Sequence, residues 1–88
     1  RYPEDKMISP ELVELLPKED HQYPEVYAHN GEEFVYVLEG ILTLIIDDKI
    51  LKMYPGDSAH YLSTQKHNWD NRTNKVVKFI TVHYPKNI

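Results

Sequence analysis

The run Tyr27-Ala28-His29-Asn30-Gly31-Glu32-Glu33-Phe34-Val35-Tyr36-Val37-Leu38-Glu39-Gly40 decides how the chain is read. Between Glu33 and Leu38 the aromatic and β-branched residues favour extended backbone, in which positions two apart share a face. With Glu33 directed inward, Val35 and Val37 accompany it, and Phe34, Tyr36 and Leu38 make the outer face. That outer face is large and apolar for a monomer, so either the segment Leu12 to Leu16 or a second subunit is expected to cover it. A homodimer is the expected state.

Outward from this run, turn residues divide the chain at short intervals. Gly40 separates it from Leu42-Thr43-Leu44-Ile45, and Asp47-Asp48 before Lys49 reads as a tight turn into the next strand. Pro55-Gly56 suits a type II turn, because Pro fixes the first φ and Gly accepts the positive φ that follows. Extended segments are predicted near 22–28, 33–38, 41–46, 49–54, 58–62, 67–71 and 75–83. Pro10 to Leu16, with Ser9 as a cap, competes as a helix. Pro17 stops it too soon for that, and it reads as an edge strand. About eight short strands with no room for crossover helices imply an antiparallel sandwich or barrel.

Composition narrows the function classes. The 88 residues carry Lys+Arg 10 against Asp+Glu 14, a net charge of -4, with the basic residues scattered among acids. Direct nucleic-acid binding needs a basic cluster and is not expected. The longest apolar stretch, Ile41 to Ile46, is far below the ~20 residues of a membrane span. No signal-peptide pattern opens the chain, and a cytoplasmic location is expected. A Cys count of 0 removes disulfides and thiolate metal sites. A chain that opens on Arg1 rather than Met is expected to be a piece of a longer protein.

The His count of 5 supplies most of the chemistry. Tyr27, His29 and Glu33 can share one side of a bent strand, and His67 and Asn71 can face them from another. In this pattern the chain resembles the cupin family of small jelly-roll barrels. The family's first motif runs Gly, five residues, His-x-His, three or four residues, Glu, six residues, Gly, and His29, Glu33 and Gly40 match it. The second runs Gly, five residues, Pro-x-Gly, two residues, His, three residues, Asn, and Gly56, His67 and Asn71 match it. The resemblance covers about residues 12 to 84. It implies one all-β domain over 1–88, an antiparallel double-stranded β-helix.

The departures bear on the site. Tyr27 stands where the family places its first metal-binding His, His21 where it places the opening Gly, and Leu62 and Thr64 where it places Pro and Gly. Three of four ligands remain by position, His29, Glu33 and His67. Two imidazoles and a carboxylate suit one divalent metal ion, Fe, Mn, Ni or Zn. Alternatively, His29 and His67 hydrogen-bond inside a polar barrel and Glu33 shares a proton with one of them. Tyr27, His60, Trp69 and Asn71 are the candidate small-molecule contacts. Trp69, with Val35, Val37 and Phe79, either lines a small cavity or fills the core. His60 falls where the family carries an aromatic, and His21 and His83 are expected to face solvent.

The resemblance extends to the C-terminal sensor domain of helix-turn-helix transcription regulators. The leading expectation is therefore a domain that binds or senses a small molecule, the effector-binding part of a bacterial regulator. The alternative is a small metal-dependent enzyme of dioxygenase, isomerase or decarboxylase type. In that case His29, Glu33 and His67 hold the metal, and Tyr27 or His60 donates a proton.

Overall fold

The computed structural model describes residues 6–20 and 22–85. These form seven strands and, among the described residues, no helix: β1 Ser9–Leu15, β2 Glu32–Glu39, β3 Leu42–Ile46, β4 Lys49–Met53, β5 Ser58–Leu62, β6 His67–Asp70 and β7 Val77–Tyr84. They build two antiparallel sheets, β1-β7-β2-β5 and β4-β3-β6. His21 lies outside the described residues.

The predicted turns form as their residues dictate. Ile46 pairs with Lys49 across a two-residue loop in which Asp47 takes a φ of 52°. At Tyr54-Pro55-Gly56-Asp57 the Asp57 N–H donates to the Tyr54 carbonyl at 2.8 Å, with Gly56 at φ 91°. Pro10 to Leu15 is indeed an edge strand, paired with β7 from Ser9↔His83 to Leu15↔Val77.

Alternation decides what is buried in β2 and β7, whereas β3 is buried on both faces from Leu42 to Ile45. Val35 and Val37 of β2 and Val77, Phe79 and Thr81 of β7 are fully buried, and Leu42, Leu44, Met53 and Tyr61 join them from the other strands. Burying each large apolar side chain contributes about 1.5–3 kcal/mol. Val35, Val37 and Phe79 therefore fill the core, and Trp69 packs edge-on against Phe79 with ring centroids 5.0 Å apart.

Two expectations need correction. The segment 22–28 is not a strand: its one ladder contact is the bridge between Tyr27 and His67. Pro24 has no N–H to give a ladder, and the segment is held instead by side chains. The Arg72 guanidinium lies 3.8 Å over the Tyr23 ring, and the Asn68 amide donates to the Glu25 carbonyl at 2.7 Å. Nor does the segment 12–16 cover the outer face of β2. As an edge strand it extends that face sideways, so Leu12 is 69% exposed and Phe34 and Tyr36 stay open at 37% and 38%. Cross-strand register lines up Leu12, Ile80 and Tyr36 in one row and Pro10, Val82 and Phe34 in the next.

Gly31 fixes the entry to β2. Its φ is 115°, and a Cβ there would collide with the Tyr84 carbonyl oxygen. Only glycine lets the loop before β2 lie against the end of β7. That close approach sets the neighbours of His29 and Glu33.

Candidate metal centre

Glu33 lies next to the start of β2, directly opposite Tyr61 on β5 and His83 on β7. Its side chain is 1% exposed, and a carboxylate so placed must be compensated. The Tyr61 hydroxyl donates to Oε1 at 3.0 Å and the Ser63 hydroxyl to Oε2 at 3.3 Å. Three ring nitrogens also face Oε2: His29 Nε2 at 3.0 Å, His67 Nε2 at 2.7 Å and His83 Nδ1 at 3.6 Å.

Backbone contacts bring these rings together. The His29 N–H donates to the Ser63 carbonyl at 2.9 Å, and the Ser63 N–H returns a bond to the Gly31 carbonyl at 2.9 Å. His67 opens β6 in the other sheet, and exchanges two backbone bonds with Tyr27 at 3.1 and 2.9 Å. The outer nitrogens are anchored as well. His67 Nδ1 is 2.6 Å from the Gln65 carbonyl and His29 Nδ1 is 3.1 Å from that of Asn30. A carbonyl only accepts, so each Nδ1 carries a proton and each Nε2 is the nitrogen left facing Glu33.

Two acceptors as close as His67 Nε2 and Glu33 Oε2 repel each other unless a positive centre is shared between them. A proton meets that need, and so does a metal ion. Metal-binding histidines typically have the other ring N–H tied to a carbonyl, as both do here. The ligand atoms of His29, Glu33 and His67 lie within 4.8 Å of one another, so the three residues can hold one ion.

Tyr61 takes part through Glu33. Burial first, and the Glu33 charge second, push its phenol well above the ordinary 10.0. Trp69 Nε1 donates to the Tyr61 oxygen at 3.2 Å, extending the chain Trp69 to Tyr61 to Glu33. The folded state thus holds the Tyr61 proton more tightly than the unfolded chain does. Its contribution to stability is whole below about pH 10 and is lost as pH rises beyond that. In an alkaline absorbance titration one tyrosine is expected to ionise only as the protein unfolds, and Tyr61→Phe should remove that late step. Ionisation of every tyrosine near pH 10 in the folded protein would contradict it.

A recess of about 220 Å³ opens over the cluster, walled by Tyr27, His29, Glu33, His67, Trp69 and His83. Tyr27 is 59% exposed, and its hydroxyl donates to Glu25 Oε2 at 3.3 Å. The structure does not bring His60 or Asn71 to this place. His60 is opposite Phe34, on the outer face of the sheet, with Nε2 2.6 Å from Glu32 Oε1. The Asn71 amide donates to the Leu15 and Lys75 carbonyls at 2.9 and 2.7 Å, and its oxygen accepts from the Thr73 N–H and hydroxyl at 3.0 and 2.7 Å. Its side chain is spent on holding the loop that follows β6.

The expectation for His83 is corrected. Its side chain is 14% exposed and faces the cluster rather than solvent. Period-two alternation carried the signal: Val77, Phe79, Thr81 and His83 form one inward row of β7. The same reading of Ala59, Tyr61 and Ser63 finds the two hydroxyl donors to Glu33.

Two antiparallel sheets enclosing an apolar core, with a carboxylate and imidazoles gathered where β2 begins and β7 ends, define a small jelly-roll barrel with a polar site. The chain belongs to the cupin family, whose Cupin domain model matches residues 11–83. It is similar to a sugar phosphate isomerase of the cupin superfamily from Silicibacter pomeroyi, at 30% identity over 92% of this chain and 52% of that one, with a TM-score of 0.75. The chain thus spans about half the length of that isomerase. Two more distant likenesses show the fold alone. An HTH_3 family transcriptional regulator from Vibrio cholerae is 19% identical over 99% of this chain and 48% of its own, with a TM-score of 0.76. Fe(II)-HppE is 23% identical over 89% and 43%, with a TM-score of 0.76. No curated protein is significantly similar in sequence. Among the described residues, no helix is long and apolar enough to cross a membrane.

Proposed function

We propose that the chain is a small-molecule-binding cupin domain whose ligand is taken up at one divalent metal ion held by His29, Glu33 and His67. A single observation carries this reading: two Nε2 atoms lie 3.0 and 2.7 Å from one carboxylate oxygen, with both Nδ1 protons committed to backbone carbonyls. Iron, manganese, nickel and zinc all suit such a set. Bound there, the ion would supply Lewis acidity toward an oxygen of the ligand. Tyr61 and Ser63 orient Glu33, while Tyr27 and Trp69 wall the recess. At about 220 Å³ the recess is below the ~300–1,000 Å³ of drug-sized sites, which favours a metabolite of few heavy atoms.

Binding without turnover is the favoured use. Apart from the carboxylate and imidazoles, the titratable side chain at the recess is Tyr27, and its hydroxyl is turned to Glu25. This supports a sensory domain within a longer bacterial regulator, as does the likeness to the Vibrio cholerae regulator over 99% of this chain. The 30% identity to the isomerase favours a second reading, a metal-dependent enzyme. The open face around Leu12, Phe34 and Tyr36 supports pairing with a second copy.

Addition of Mn(II), Fe(II), Ni(II) or Zn(II) tests the metal reading. At about 100 times Kd the best of these is expected to stabilise the fold by about 2.7 kcal/mol. For a domain of this size Tm should rise by roughly 10–20 °C, and EDTA should reverse it. No rise with any of the ions would sink the reading. Turnover of a small hydroxy or sugar phosphate substrate by the loaded protein would favour the enzyme.

A further inference from the structure

We propose that His83 is a fourth ligand to that ion, binding through Nδ1 from the last strand. The proposal rests on the metal reading above and extends it to a residue outside both sequence motifs.

His83 Nδ1 is buried and has no hydrogen-bond partner among the described residues. An unpaired buried nitrogen costs about 1–3 kcal/mol, so a fold that keeps one invites a partner the protein does not itself supply. The atom is aimed at the cluster: it lies 3.6 Å from Glu33 Oε2, too far for a hydrogen bond and on the same oxygen that the other two rings face. Strand pairing holds it there, since Glu33 and His83 are directly opposite in the β2–β7 ladder. The other ring nitrogen has a neighbour on its own strand, with Nε2 3.4 Å from the buried Thr81 Oγ1. The Trp69 ring stands edge-on against the imidazole at 6.1 Å between centroids, which restricts its rotation.

All three imidazoles therefore have one arrangement in common. One nitrogen has a neighbouring oxygen, and the other is directed at Glu33. His29 and His67 present Nε2, whereas His83 presents Nδ1. Tyr27, at the position where the resemblance places another imidazole, turns its hydroxyl away to Glu25. His83 makes good that loss from β7. With four protein ligands, a six-coordinate ion keeps two positions for a small molecule rather than three.

Long-range proton–nitrogen NMR correlations of the histidine rings in the 15N-labelled chain, recorded before and after addition of Zn(II), test the proposal. The expected result is metal ligation of His29 and His67 through Nε2 and of His83 through Nδ1, with the His83 proton on Nε2 and the His60 ring unchanged. Ligation of His29 and His67 with His83 unaffected would overturn the fourth ligand and leave the metal reading standing. No change in any ring would overturn both. In parallel, His83→Phe is expected to weaken Zn(II) affinity by at least about tenfold with an unchanged circular dichroism spectrum. Unaltered affinity would overturn the proposal. If that variant does not fold, the spectra of the unaltered chain still decide.

Discussion

Glu33→Gln is expected to reduce Zn(II) affinity by more than ~100-fold, beyond the ~10–100-fold effects of groups that merely orient a ligand. Gln keeps the shape of the side chain and removes its charge, so the variant separates the anion from the packing. The fold should also weaken. Tyr61 and Ser63 both donate to this carboxylate, at 3.0 and 3.3 Å, and an amide NH2 turned toward either hydroxyl puts donor against donor. The cost of one such frustrated buried contact is about 1–3 kcal/mol. Calorimetric Zn(II) titration together with urea unfolding measures both effects. Zn(II) affinity equal to that of the unaltered protein would show that the carboxylate does not ligate the ion, and the neutral imidazoles would have to hold it without an anion.

Phe79→Ala is expected to cost about 3–5 kcal/mol, because it removes the largest fully buried side chain and leaves a cavity. Its edge-on contact with Trp69 adds about 0.5–1.5 kcal/mol to the loss. A domain of this length has roughly 4–13 kcal/mol of stability in all. The variant should therefore unfold at a urea concentration lower by about 1 M or more, given slopes of about 1–3 kcal/mol per M. Trp69 fluorescence follows the change directly, since the indole covers the gap. A loss of less than about 1 kcal/mol would mean that Val35, Val37 and Leu44 close around the space.

Strands β2, β5 and β7 were legible because their burial follows a period of two. Glu33, Val35 and Val37 inward and Phe34, Tyr36 and Leu38 outward is the arrangement that the sequence of β2 requires. The segment 22–28 was not legible in the same way, because its conformation depends on Asn68 and Arg72 reaching it from distant positions. Motif spacing, read through the resemblance to the cupin family, also brought together His29, Glu33 and His67. Asn71 and His60 show its limits. Asn71 spends its amide on carbonyls of β1 and the following loop, and His60 lies one residue out of phase with Tyr61, so pleating turns it away. His83 was within reach of the alternation of β7, but a place near a segment end suggested solvent. The end of β7 is covered by the loop that Gly31 allows to approach it.

The location of Glu33 in one sheet and His67 in the other has a consequence for unfolding. An ion shared between them would be a crosslink between the two halves of the sandwich, joining points far apart along the chain. Such a tie acts largely by restricting the unfolded ensemble, much as a disulfide does. Unlike a disulfide, it dissolves when the ion is withdrawn. A chain without cysteine would in this way have its cooperativity set by the supply of metal around it.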